Sequence, residues 1–198
     1  MSSQPITFLT PDEYLEIEEK NEFRSEFVNG EVFAMAETTI NHSWIVSNVQ
    51  GRLWQQLRSR PCGVRTNEKR LYIARFEAFA YPDVVVTCGP DRLYKDGRTI
   101  TDATLIVEVL SPSTKNYDRS EKFDFYRSLP SFAEYLLLAQ DAMRAEHHTR
   151  LPDGSWLFRE FTDPTVTIEL KSIGCRLELQ ALYERVEFAS EKPADAVS

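Results

Sequence analysis

Two carboxylates stand in stretches that otherwise read as hydrophobic core. In YPDVVVTC, Asp83 follows Pro82 and precedes three valines; in LIVEVLSPST, Glu108 lies between Val107 and Val109. Short continuous runs of Val, Ile and Leu are the pattern of buried strands. A buried ionised carboxylate is costly unless a cation, a hydrogen bond or a proton compensates it. Each acid alone reads first as a strand-end group, solvated or salt-bridged. If the two strands are neighbours in suitable register, however, both acids share one face and repel, which raises a pKa. A divalent cation removes that conflict. Mg²⁺ takes hard oxygen ligands, commonly one or two protein carboxylates completed by water and substrate phosphate. Such an ion can activate water and stabilise charge on a phosphodiester. Asp83 and Glu108 are therefore the candidate ligands of Mg²⁺ or Mn²⁺.

A basic partner follows in DRSEKFDFYRSL, where Asp118, Lys122 and Tyr126 recur at helical spacing on one face. If that helix returns over the Glu108 strand, Lys122 places an ammonium beside the acids, where it can orient water and offset phosphate charge. An ordinary Asp118–Lys122 surface pair accounts for the same spacing. Tyr126 reads first as packing, with its hydroxyl near the same site. Glu26 enters a hairpin strand as a candidate third carboxylate, with Glu31 on the partner strand as its rival. His42 opens a helix, where it either contacts substrate or sits at the surface. Lys69 precedes an earlier strand, and with Arg65 and Arg70 it forms a basic run suited to phosphate contacts or to plain solvation. His147 and His148 are adjacent in an expected strand, so they point to opposite faces and share no site.

These residues need elements to position them. Thr10-Pro11-Asp12-Glu13 is a helix start with a cap, a proline at the first position and a capping-box acid. Asn29-Gly30 between apolar runs marks a hairpin over residues 26 to 35. Ile45, Val49, Leu53 and Leu57 predict a helix over 41–57, stopped by Pro61. Strands are expected at 71–73, 81–87, 104–110, 134–139 and 165–170, with a hairpin over 144–161 around Pro152-Asp153-Gly154. Further helices are expected at 118–129 and 181–187. The reading is a mixed α/β (α+β) domain with a sheet flanked by helices. It covers residues 1–188 and leaves 189–198 as a disordered tail.

The 198 residues are 42% hydrophobic and 27% charged, an ordinary globular composition. A net charge of −8 argues against nonspecific coating of nucleic acid, which depends on Lys and Arg. No apolar run reaches the roughly 18 residues of a membrane span, and no secretory signal is visible. Cys62, Cys88 and Cys175 are widely separated, so reduced thiols in a cytoplasmic protein are expected. With seven glycines there is no phosphate loop, and GxSxG and HExxH are missing.

Taken together, SEFVNGEV, the helix opening with His42, YPDVVV, LIVEVLSPST and DRSEKFDFYRSLPSFAEYLLL resemble the Uma-two family of the PD-(D/E)xK restriction-endonuclease-like superfamily. The likeness runs over about residues 10 to 188. It implies a restriction-endonuclease-like core, a mixed central β-sheet flanked by α-helices with additional β-hairpins, and metal-dependent hydrolysis of DNA. It also implies a metal at Asp83 and Glu108, an acid at Glu26, and a displaced lysine, since Leu110 occupies the lysine position of the triplet. Lys122 is the candidate for that displaced lysine and Lys69 the weaker substitute. A catalytically inactive binding or assembly module on the same fold is the alternative, and a homodimer is compatible with either.

Overall fold

The computed structural model describes residues 8–35 and 38–188. The expected tail at 189–198 lies outside the described residues. The chain runs α1 (Pro11–Glu18), β1 (Ser25–Val28), β2 (Glu31–Ala34), α2 (Ile40–Leu57), β3 (Cys62–Thr66), β4 (Leu71–Ile73), β5 (Ala78–Ala80), β6 (Val84–Cys88) and β7 (Leu105–Leu110). It continues with α3 (Lys115–Arg119), α4 (Glu121–Tyr126), β8 (Glu134–Ala139), β9 (Ala145–Arg150), β10 (Trp156–Phe161), β11 (Thr167–Leu170), β12 (Cys175–Glu178) and α5 (Leu179–Leu182).

The centre is a six-stranded mixed sheet in the order β10-β9-β8-β7-β6-β3. Only β7 and β8 pair in parallel, and α3 and α4 lie in the connection between them, as a parallel crossover requires. The valines and leucines of β6, β7 and β8 are buried on both faces. Val84, Val86, Val107 and Val109 meet the apolar stripe of α2, namely Ile45, Val49, Leu53 and Leu57. Val85, Ile106 and Leu110 face Tyr126, Leu129 and Phe132. Glu108 shares a face with Ile106 and Leu110, so it points to the α4 side.

A second sheet, β2-β1-β5-β4, is antiparallel throughout and carries the Asn29-Gly30 turn. Both turn residues have positive φ, 47° and 95°, the conformation this two-residue hairpin demands. A Cβ on Gly30 would also approach Phe8 Cδ1 to 2.7 Å.

Several expectations need correction. β3, β5 and β12 were not anticipated, and Pro82 separates β5 from β6 where a single strand over 81–87 was expected. The helix expected at 118–129 is two short helices, broken at Ser120 with φ −114° and ψ −85°. The last helix sits at Leu179–Leu182 rather than 181–187. Cys62 and Cys88 are not separate thiols. They face each other across the β3–β6 ladder and form a disulfide, leaving Cys175 buried and free.

Candidate active site

The ladder between β6 and β7 pairs Val85 with Ile106 and Val84 with Val107. One step further along the same register, Asp83 comes opposite Glu108. The Asp83 N–H donates to Glu108 Oε2 at 3.2 Å, and the Val109 N–H donates to Asp83 Oδ2 at 2.7 Å. Both acids are buried, at 8% and 3% exposure. His42, in the first turn of α2 under its Thr39 cap, brings Nε2 to 3.1 Å from Asp83 Oδ2.

Helix α4 returns over β7 and delivers Lys122 and Tyr126 to the same carboxylate. Lys122 Nζ lies 3.1 Å from Glu108 Oε1, and the Tyr126 hydroxyl donates to that oxygen at 2.8 Å. Lys122 Nζ is also 3.2 Å from Glu26 Oε1 and 3.5 Å from Asp118 Oδ1. An ammonium has three donors, and each faces a different carboxylate. Glu26 accepts in addition from the Tyr81 N–H at 3.2 Å. Four carboxylates therefore surround one lysine and one histidine at the floor of a cleft of about 1020 Å³.

The charge imbalance is visible in the protonation equilibria. Glu108 is pushed up to about 8, mainly by burial. Lys122 opposes that shift, while Asp83, Asp118 and Glu26 add to it. Burial likewise raises Asp118. Lys122 goes the other way: burial favours its neutral amine, but Glu108, Glu26 and Asp118 hold it well above its usual value. The lysine is thus a fixed cation, suited to stabilising negative charge and unsuited to accepting a proton.

Among the expected residues, Asp83, Glu108, Lys122, Glu26, His42 and Tyr126 come together here. Lys69 does not: its ammonium donates to the Arg98 carbonyl at 3.2 Å, away from the cleft. Arg65 is occupied by Asp91 and Thr87, and Arg70 by Asp96 and Thr99, so neither is a free phosphate contact. Glu31 lies at the exposed cleft rim and Glu26 in the cluster. His147 and His148 do point apart, one to Glu134 and the other to Phe123. Asp118 is the residue that sequence reasoning undervalued. Its i,i+4 spacing to Lys122 fits a surface pair equally well, yet both side chains are buried.

The oxygen-rich donor set suits a hard divalent cation. Among the described residues, no three His, Cys, Asp or Glu side chains form a ready coordination sphere. Asp83 and Glu108 are two adjacent carboxylates, the number that Mg²⁺ commonly takes from protein.

Comparison with known proteins bears on the family and the fold. The model of the family described as "Uma2: Putative restriction endonuclease" matches residues 11–181. The chain belongs to this family. Two relatives are uncharacterized proteins of Synechocystis sp. (strain ATCC 27184 / PCC 6803 / Kazusa). One, sll1609, is 35% identical over 162 residues, covering 81% of this chain and 92% of that protein. The other, slr1290, is 33% identical over 186 residues, covering 94% and 97%. A crystal structure from Anabaena variabilis ATCC 29413, titled as a "putative nuclease belonging to DUF820", superposes with a TM-score of 0.74. It is 16% identical, over 89% of this chain and 98% of that one, so it speaks to the fold: the mixed sheet and flanking helices of this Uma2 chain are those of that structure.

Proposed function

We propose that this Uma2 protein is a Mg²⁺- or Mn²⁺-dependent nuclease that hydrolyses DNA phosphodiester bonds. The observation that carries the reading is the return of Lys122 to Glu108 at 3.1 Å. The triplet lacks its lysine because Leu110 holds that position in the core. A lysine from the following helix fills the same chemical place. Asp83 and Glu108 would hold the metal, which when bound supplies a Lewis acid and a more acidic water.

The protein's own residues account for the remainder. Val109 N–H and His42 fix the Asp83 carboxylate, and Tyr126 fixes Glu108. Lys122 stays protonated and offers its charge to the phosphate oxygens as negative charge builds on them. Glu26 and Asp118 hold the ammonium in the floor of the cleft, and as phosphate approaches one of them yields a donor to it. Burial makes each of these interactions stronger than it would be in water.

The test is cleavage of plasmid and single-stranded DNA with Mg²⁺ or Mn²⁺, by the wild type and by Asp83→Ala, Glu108→Ala and Lys122→Ala. Metal-dependent cleavage that Asp83→Ala and Glu108→Ala abolish supports the reading. Activity that survives both substitutions rejects it.

A further inference from the structure

The walls of the cleft bear on what kind of strand could enter it. Among the described residues that line it, Lys122 is the only Lys or Arg, and its donors all face carboxylates. Six lining residues are acidic: Glu26, Glu31, Asp83, Glu108, Asp118 and Glu121. Duplex DNA is gripped chiefly through its phosphates by Lys and Arg, along a track on each strand. These walls offer no such track.

They offer aromatic surface instead. Phe33 on β2 lies directly opposite Glu26 in the β1–β2 register. Cross-strand partners share one face with their Cβ atoms about 5 Å apart, so the ring stands beside a carboxylate that holds Lys122. Phe33 is 49% exposed and lines the cleft. Phe125, about one turn after Lys122 on α4, also lines the cleft; it packs on Phe76 and meets Tyr117 edge-on, with centroids 6.4 Å apart. Neutral polar groups at Asn29, Thr38 and Ser113 complete the rim.

Proteins hold unpaired bases on aromatic rings, because every base has a π face and stacking needs no sequence; a basic groove commonly tracks the backbone as well, and without one here the stacked base must carry the contact. We propose that the cleft takes in an unpaired stretch of nucleic acid, with a base stacked on Phe33 and its adjoining phosphate delivered to the carboxylates. Only the phosphate next to that base enters the acidic floor; the rest of the strand stays outside. The inference rests on the nuclease reading above for the identity of the ligand. It goes beyond that reading in naming strand state and in assigning Phe33 as the residue that reads it.

The experiment is fluorescence anisotropy with cleavage-resistant phosphorothioate oligonucleotides in Mg²⁺. The probes are a single strand, its blunt duplex, and that duplex carrying a single-stranded overhang. The single strand and the overhang are expected to bind about tenfold more tightly than the blunt duplex. Phe33→Trp should keep that preference, while Phe33→Ala and Phe33→Leu lose it, the leucine retaining apolar area without a ring. Phe33 is an exposed edge-strand residue, and thermal melts of each variant confirm that the fold is intact. A blunt duplex bound as tightly as the single strand overturns the proposal, as does Phe33→Leu binding like the wild type. Cleavage of unprotected oligonucleotides is scored separately. Its complete absence would sink the catalytic reading, while a Phe33-dependent preference for the single strand would still support this one.

Discussion

Two groups of buried charge lie on either side of Tyr81, and they are built on opposite principles. Around Arg70 every charged atom has its own partner. The guanidinium donates to Thr99 Oγ1 at 2.8 Å and Asp96 Oδ2 at 2.9 Å, and lies 5.8 Å from the Tyr14 ring centroid and 5.6 Å from that of Phe79. Asp96 also accepts from the backbone N–H groups of Arg98 and Thr99, both at 2.9 Å. Burial alone would raise Asp96, but the Thr99, Arg98 and Arg70 donors outweigh it and bring the carboxyl down to about 2. Around Lys122 three carboxylates share one ammonium, and Glu108 rises to about 8. The first group is complete as it stands. The second gathers more carboxylates than the chain's own ammonium can pair, the imbalance that the proposed metal would relieve.

The sharpest way to break this contrast is to remove acids from each group. Asp83→Ala or Glu108→Ala is expected to lower kcat about a thousandfold, the scale on which loss of a preorganised charge-stabilising group is felt. Asp96→Asn should leave kcat within about twofold, because its effect is confined to stability. Single-turnover cleavage of a labelled oligonucleotide reads both. A comparable loss of kcat from Asp96→Asn would erase the distinction.

Removing the cation from each group comes next. Lys122→Met strands Glu108, Glu26 and Asp118 without a counter-charge, and removing one partner of a buried ion pair costs about 3 kcal/mol or more. Arg70→Met leaves Asp96 with the Thr99 and Arg98 donors, so a smaller loss is expected. Urea unfolding at pH 8 measures both. Equal losses would mean that the Lys122 carboxylates simply take up protons.

The opposite pKa shifts predict opposite pH limbs. Glu108 is higher in the folded state than its ordinary 4.5, so the native protein binds the extra proton. Its contribution to stability is full below pH 4.5 and is lost as pH rises towards 8. Asp96 is lower than its ordinary 3.8, so its contribution is full above that value and is lost as pH falls towards 2. Melting temperatures of the metal-free protein should therefore fall by several degrees on the alkaline side. Glu108→Gln should flatten that limb, and Asp96→Asn should flatten the acid one. Because a metal competes with the Glu108 proton, millimolar Mn²⁺ should raise the melting temperature more at pH 8.5 than at pH 6. An equal rise at both values would detach the metal from Glu108.

How much of this contrast is written in the sequence depends on the range of the interaction. Asp83 and Glu108 are conspicuous because each interrupts a run of Val and Leu, a local signal. Lys122 and Tyr126 follow from helical spacing, which survived even though Ser120 breaks the helix. Glu26 was reachable from the Asn29-Gly30 turn. The burial of Asp118 was not, because i,i+4 spacing is the same for a solvated pair and a buried one. The Arg70 group reads as part of a basic run, since its partners Asp96 and Thr99 sit in a polar loop whose path only the fold fixes. The Cys62–Cys88 bridge has the same origin: it depends on the β3–β6 register, and β3 itself, CGVRT, has neither the alternation nor the apolar run of a strand.

Tyr81 belongs to both groups, and it offers the most discriminating test through the smallest change. Its N–H serves Glu26 in the site, while its hydroxyl donates to Glu18 at 2.9 Å and faces Arg70 at 3.5 Å. Tyr81→Phe deletes only the hydroxyl and leaves the amide in place. Glu18 keeps the Ser25 N–H and hydroxyl as donors, so the loss should be near that of one hydrogen bond, about 1 kcal/mol. If the two groups are energetically separate, kcat and the alkaline limb of the melting curve stay where they are, and only the overall stability drops. A shift of that limb in Tyr81→Phe would show that the Arg70 group sets the Glu108 proton affinity through the Tyr81 backbone. The excess charge of the site would then belong to one network spanning both groups.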